Sequence, residues 1–212
     1  MRYEFEESFY GIEDVQLLSY GIDKKQMFRM MIYDEVRDVW YCESEKDIIR
    51  YKYVVNGNIR LNDFRALEYI QDENGEIWSV PNNSNEICND VKIEDYYILD
   101  GKCRKDFIYD KYVDIRVGVK LLKVSNLHAL TYILFQPDGR IHYLEECVIG
   151  ELDIYSSCME IVFGNRVSGM SINTVEGMWQ VRIYLDGRCV IKDYLVIKRH
   201  LNRKMIMFDY KV

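Results

Sequence analysis

The segment that most restricts the fold is residues 176–198, EGMWQVRIYLDGRCVIKDYLVIK, in which apolar side chains recur at every second position. A period of two is typical of a β-strand with one buried face, and it is incompatible with a helix. The sequence Asp186-Gly187 then predicts a tight turn, because both residues tolerate positive φ. We therefore expect a β-hairpin whose first strand directs one face into a core, the face of Trp179, Val181, Ile183 and Leu185.

The same kind of signal continues through the carboxyl-terminal half of the chain. Strand-like runs lie at residues 113–124, 129–136, 140–149 and 151–163, and Pro137-Asp138-Gly139 forms a turn signal between two of them. Short strands separated by turn residues are typical of an all-β sandwich or barrel.

The order Gly177-x-Trp179-x-Val181-x-Ile183, followed by Asp186-Gly187 and an apolar strand, resembles the last hairpin of bacterial immunoglobulin-like domains. The resemblance extends more loosely over residues 107–198, and it implies a sandwich of about seven strands. It implies no activity, because such sandwiches carry unrelated functions. The chain lacks the Cys–Trp–Cys framework of antibody domains.

The amino-terminal half leaves two interpretations open around residues 26–42. Phe28, Met30 and Ile32 alternate as in a strand, whereas Met27, Met30 and Met31 have helical spacing; we favour strands. Asn56-Gly57 and Asn74-Gly75 predict two further hairpins.

We therefore predict a mainly β protein with a β-rich or α+β amino-terminal domain at 1–105. An immunoglobulin-like sandwich follows at 106–198, and a basic segment at 199–212 is either a last strand or a docking segment. The boundary is placed within 98–106, where the charge balance changes. Residues 1–100 contain 11 Lys and Arg against 22 Asp and Glu, while residues 101–212 contain 17 against 13.

The chain contains no G-x-x-x-x-G-K-[ST], G-x-G-x-x-G, H-E-x-x-H or G-x-S-x-G motif and no EF-hand loop, so we expect no cofactor and no metal. The six cysteines are far apart and are interpreted as free, mostly buried thiols. His142 is either a base working with Glu145 or Glu146 or, as we favour, a solvent-facing strand residue. A pairing of His142 with Cys147 requires a bulge, because alternate strand residues face opposite ways.

Charged residues supply the candidate sites for a protein partner. The basic candidates are Lys198, Arg199, Arg203 and Lys204, and the acidic candidates are Glu43, Glu45 and Asp47. These two sets could also hold the two halves of the chain together.

Three functions follow from this pattern, in order of preference. The first is a non-catalytic protein–protein interaction or assembly module of bacterial or phage origin, such as an accessory subunit, a virion component or an inhibitor. The second is an enzyme with a scattered Asp, Glu and Tyr site, and the third is a nucleic-acid-binding accessory protein. An acidic amino terminus and the lack of an apolar run of about 20 residues predict a cytoplasmic protein.

Overall fold

The computed structural model describes residues 1–6, 11–44, 47–82, 91–100, 106–109, 112–122, 124, 126–150 and 158–199. Within these ranges the chain is almost entirely β-structure, which confirms the predicted mainly β class. No helix in the described ranges is long and apolar enough to cross a membrane.

The amino-terminal half contains the strands that the alternating pattern favoured, including those at the ambiguous methionine-rich segment. They are β1 Arg2–Phe5, β2 Val15–Gly21, β3 Gln26–Met30, β4 Ile32–Asp34, β5 Val39–Glu43, β6 Ile48–Val55, β7 Ile59–Leu61, β8 Glu68–Gln71 and β9 Ile77–Val80. One sheet has the order β1-β5-β4, and a second has the order β3-β2-β6-β9-β8, with β7 beside β6.

The carboxyl-terminal half forms two further sheets. Its elements are β10 Lys92–Asp100, β11 Asp106–Tyr109, β12 Tyr112–Leu122, β13 His128–Phe135, β14 Ile141–Ile149, β15 Cys158–Ser168, α1 Ile172–Val175, β16 Gly177–Leu185 and β17 Arg188–Arg199. The sheets have the orders β10-β12-β15 and β11-β17-β16-β13-β14. β10 precedes the predicted boundary in the chain but pairs with β12.

The strand order of these two sheets is that of an immunoglobulin-like sandwich. In that fold strands C, F and G share one sheet, strand C′ can extend it beyond C, and strands B and E lie in the opposite sheet. Here β13, β16 and β17 take the places of C, F and G, β14 lies beyond β13, and β12 pairs with β15. β11 adds a parallel strand beside β17.

A large apolar core fills the space between the two sheets of the sandwich, and it contains the face predicted from the sequence. Trp179, Val181 and Ile183 are fully buried there, and Trp179 Nε1 donates a hydrogen bond of 2.7 Å to the Val175 carbonyl. Burying four such side chains contributes roughly 8 kcal/mol before conformational entropy is subtracted.

The opposite face of the same strand is buried as well. Tyr184 is fully buried and joins Ile133 and Phe135 in a second core, whose other members come from the amino-terminal sheets. β13 is consequently buried at every position. The sheet that contains β13 and β16 is therefore covered on both faces. The β10-β12-β15 sheet covers one face, and the amino-terminal half packs on the other.

The predicted tight turns are all present. Asn56-Gly57 and Asp186-Gly187 adopt positive φ at both residues, as the commonest two-residue hairpin turn requires, and Gly75 has a φ of 83°. Four tyrosines of these strands, Tyr51, Tyr53, Tyr132 and Tyr184, are buried.

Candidate functional site

A buried histidine–aspartate pair lies where the two halves of the chain meet. The Asp186 side chain is fully buried, and its Oδ2 lies 2.8 Å from His128 Nδ1. Its Oδ1 accepts a hydrogen bond of 2.8 Å from the Ala129 amide, and the Asp186 amide donates to the Ala129 carbonyl. Burial raises the pKa of Asp186, while the hydrogen bond from His128 acts in the opposite direction.

His128 is also one of the residues that line a cleft. His128 Nε2 is buried, and within the described part of the chain no group forms a hydrogen bond with it. The cleft encloses about 260 Å³ and is formed by two chain segments, with the lining residues Phe64, Ala66, Leu67, Glu68, Tyr69, Asn126, Leu127 and His128. The Tyr69 ring centroid lies 5.9 Å from that of His128. A histidine oriented by a carboxylate beside a cleft can accept or transfer a proton.

A second buried carboxylate supports the amino-terminal side of this cleft. Asp63 Oδ2 accepts hydrogen bonds from the hydroxyls of Tyr51 at 2.9 Å and Tyr53 at 2.6 Å, and Oδ1 accepts from the Arg65 amide. Burial raises the pKa of Asp63 more than these hydrogen bonds lower it. The Asp63 carbonyl also accepts from the Tyr69 hydroxyl at 2.8 Å, which fixes one wall of the cleft.

A buried lysine joins the two halves elsewhere. Lys52 is 1% exposed, and its Nζ lies 3.1 Å from Glu146 and 3.2 Å from Glu76. Burial raises the pKa of Glu146, and the Lys52 ammonium partly offsets this effect. The arrangement compensates charge inside the protein and therefore serves the structure.

The second amino-terminal sheet has an exposed apolar strand, β3, at the end opposite to β8. β3 is the terminal strand of that sheet and pairs with β2, placing Phe28 opposite Leu18 and Met30 opposite Gln16. Phe28, Met30 and Ile32 are 57%, 58% and 62% exposed. Between them Met31 is buried and its amide donates a hydrogen bond to the Val15 carbonyl, so a single residue separates β3 from β4, the terminal strands of two sheets. We call residues 26–34 the apolar edge.

A terminal strand of the sandwich, β15, carries polar side chains that discourage pairing with another chain. β15 is at the end of its sheet in the described part of the chain, and its exposed positions are mostly polar: Glu160, Val162, Gly164, Arg166 and Ser168. Charged side chains on edge strands discourage pairing with another chain. The apolar edge has no charged side chain at Phe28, Met30 or Ile32, although the exposed Arg29 lies between the first two.

The charged partner-binding candidates lie in different parts of the fold. Lys198 and Arg199 end β17 beside β11, and the Arg199 guanidinium contacts Asn173 at 3.2 Å and Glu176 at 3.5 Å within its own half. Glu43 ends β5 opposite Arg2, and Asp47 is exposed just before β6. Glu45, Arg203 and Lys204 lie outside the described residues. A role of these residues in partner binding stays a prediction.

His142 does not occupy the solvent-facing position that we favoured. A bulge in β14 opposite Leu134 and Phe135 changes the alternation, and the half-buried His142 ring packs edge-on against Trp179 at 5.2 Å between centroids. Burial lowers the pKa of His142. Glu145 accepts a hydrogen bond from Tyr143 and Glu146 contacts Lys52, so each carboxylate has its own neighbour.

Sequence reasoning missed the His128–Asp186 pair, because the two residues are far apart in the chain and Asp186 was explained by its turn. Cys42, Cys147, Cys158 and Cys189 are free thiols, as expected, but only Cys42 is buried and the other three are partly exposed. Cys88 and Cys103 lie outside the described residues.

Comparison with known proteins gives no family. No protein-family model matches the chain, and no curated protein matches its sequence. Among solved structures, an immunoglobulin-like protein from Pseudomonas aeruginosa is similar at 14% identity and a TM-score of 0.34, over 52% of this chain and 98% of that one.

Two larger enzymes are each similar to this chain over about a third of their own length or less. A β-D-mannosidase from Dictyoglomus thermophilum matches 92% of this chain at 8% identity and a TM-score of 0.38, and the chain spans only 29% of it. An alkylpurine DNA glycosylase from Pseudomonas fluorescens matches 51% of this chain at 10% identity and a TM-score of 0.36, and the chain spans 30% of it. Similarity this distant carries no argument about activity.

Proposed function

We propose that this protein is a non-catalytic interaction module that binds an extended segment of a protein partner along the apolar edge. The observation that carries the proposal is the exposure of Phe28, Met30 and Ile32 on a strand at the end of its sheet. We also propose a bacterial or phage origin and a cytoplasmic location, as expected from the sequence.

Strand addition fits the backbone as well as the side chains. In an antiparallel terminal strand, every second residue directs its amide and carbonyl away from the sheet, and an incoming strand can pair with these groups. Alternate side chains of that strand would then meet Phe28 and Met30 on one face. The partner supplies an apolar residue at every second position, because such residues cover this exposed surface.

Selection from a display library of random linear peptides tests the proposal on the full chain. We expect selected peptides to show alternating apolar residues and to lose at least about 10-fold in affinity against the Phe28→Lys and Met30→Lys variants, since these change central contacts of the interface. Methylation of the peptide nitrogens that pair with β3 should abolish binding, because it removes the donors.

Val162→Lys is the matched control, since Val162 is 51% exposed on β15, the terminal strand of another sheet. This variant should bind the selected peptides as tightly as the unmodified protein. A library that yields no peptide, or peptides whose affinity is unchanged by Met30→Lys, would contradict the proposal.

A further inference from the structure

We propose that the cleft beside His128 binds a small neutral molecule that has an apolar body and a hydroxyl group, with the hydroxyl donating a hydrogen bond to His128 Nε2. This site is separate from the apolar edge and does not depend on the interaction function.

The hydrogen bonds of Asp186 determine which nitrogen of His128 is free to accept. A carboxylate only accepts hydrogen bonds, so His128 Nδ1, 2.8 Å from Asp186 Oδ2, carries the proton that it donates. In the neutral imidazole Nε2 then has a lone pair. This atom is buried and has no hydrogen-bond partner among the residues that the structure describes. An unsatisfied buried acceptor is costly, so a ligand that donates to it gains affinity.

The size of the cleft limits the ligand to a small molecule. An engineered apolar cavity of about 150 Å³ is large enough to bind benzene, and this cleft encloses about 260 Å³. Phe64, Leu67 and Leu127 supply apolar side chains, Glu68, Tyr69 and Asn126 make other parts of the lining polar, and His128 supplies the acceptor. An aromatic or aliphatic ring that carries a hydroxymethyl group has the matching size and polarity.

The charges around the cleft favour a neutral ligand over an ion. The guanidinium groups of Arg65 and Arg188 lie 5.2 Å and 5.4 Å from the Phe64 ring centroid, which disfavours a cation at that wall. The Glu68 carboxylate lines the same cleft and disfavours an anion. A hydroxyl is a neutral group that still donates a hydrogen bond.

Access to Nε2 requires one lining side chain to move. Tyr69 is held by the hydrogen bond from its hydroxyl to the Asp63 carbonyl. Leu67 is 48% exposed, so its side chain can rotate outward at little cost in buried area. Leu67 is therefore the residue at which the cleft can be closed by substitution without disturbing the His128–Asp186 pair.

Nitrogen-15 NMR of the histidine side chains, with benzyl alcohol as the added molecule, tests the inference. We expect a saturable shift of the His128 Nε2 resonance toward that of a hydrogen-bonded nitrogen and no shift for His142. Toluene, which has the same ring and lacks the hydroxyl, should bind at least about 3-fold more weakly, as the loss of one hydrogen bond predicts.

Two variants distinguish binding of benzyl alcohol in the cleft from nonspecific binding elsewhere on the protein. Leu67→Trp should weaken benzyl alcohol binding by at least about 10-fold by filling the cleft, whereas Leu144→Trp, at a leucine 36% exposed on β14, should leave it unchanged. Equal affinities for benzyl alcohol and toluene, the absence of a saturable Nε2 shift, or unchanged binding to Leu67→Trp would each overturn the inference.

Discussion

The backbone of Gly187 contacts that of Asn62 so closely that a Cβ at Gly187 would lie 1.6 Å from the Asn62 carbonyl oxygen. This contact presses the Asp186-Gly187 turn of the sandwich against the amino-terminal half. The turn therefore does more than connect β16 to β17: it places the Asp186 carboxylate beneath His128 and joins two halves of the chain.

Gly187→Ala should destabilise the protein by about 2–5 kcal/mol. An alanine at a φ of 88° costs about 1–2 kcal/mol, and displacing the Asn62 backbone adds about 1–3 kcal/mol. Gly57→Ala is the control, because Gly57 has a similar φ of 69° in the same kind of turn and open space where the Cβ would lie. It should cost only about 1–2 kcal/mol. Chemical denaturation measures both, and equal losses would contradict the close contact.

Trp179→Phe should lower the free energy of unfolding by about 2–4 kcal/mol. The substitution leaves a cavity in the sandwich core and removes the donor that satisfies the Val175 carbonyl. Trp40→Phe provides the comparison, because Trp40 is only partly buried beside the second core, and it should cost less than half as much. Urea denaturation followed by circular dichroism measures the difference, and equal effects would contradict the packing of Trp179.

Asp63→Asn should change how stability depends on pH. Because the folded-state pKa of Asp63 is raised above 3.8, its contribution is fully present below that pH and is lost as pH rises through the folded-state value. The advantage of the unmodified protein over Asp63→Asn should therefore shrink from pH 3.8 upward.

Asp138 is the comparison, because its contribution to stability should change with pH in the opposite direction. The Arg140 hydrogen bonds lower the pKa of Asp138, so its contribution is present above 3.8 and is lost as pH falls. Thermal unfolding of the Asp63→Asn and Asp138→Asn variants across acidic pH checks both signs. An Asp63→Asn difference that grows with rising pH would show that the carboxylate is stabilised in its ionised form.

Lys52→Met should destabilise the protein by about 2–4 kcal/mol, because the partly buried Glu146 would lose its compensating charge. Replacing Glu146 by Gln in the same chain should recover most of this loss, since the uncompensated charge is then absent. The exposed Arg166–Asp114 pair is the control, and Arg166→Met should cost less than about 1 kcal/mol. A double-mutant cycle measures the coupling, and additive effects at Lys52 and Glu146 would contradict it.

The sequence predicted those features that depend on neighbouring residues. The period of two at Trp179, Val181 and Ile183 identified the buried face, and Asp186-Gly187 identified the turn, because both signals reflect local geometry. The same pattern could not show that Tyr184, on the opposite face, is also buried. That burial depends on the amino-terminal half packing there, which is a long-range contact.

The candidate sites were less accessible to sequence reasoning. Asp186 has an ordinary role in its turn, and its contact with His128 depends on the pairing of β13 with β16. Phe28, Met30 and Ile32 were correctly assigned to strands, but alternation alone predicts a buried apolar face. Their exposure follows from the position of β3 and β4 at the ends of their sheets, which only the assembled topology reveals.

Hydrogen exchange of the backbone amides, measured with and without a selected peptide, tests strand addition most directly. We predict slower exchange at the amides of residues 26–34 that point away from β2 and β5, with no change at β15. Protection confined to β15 or to the sandwich hairpin, or unchanged exchange across residues 26–34 in the complex, would contradict it.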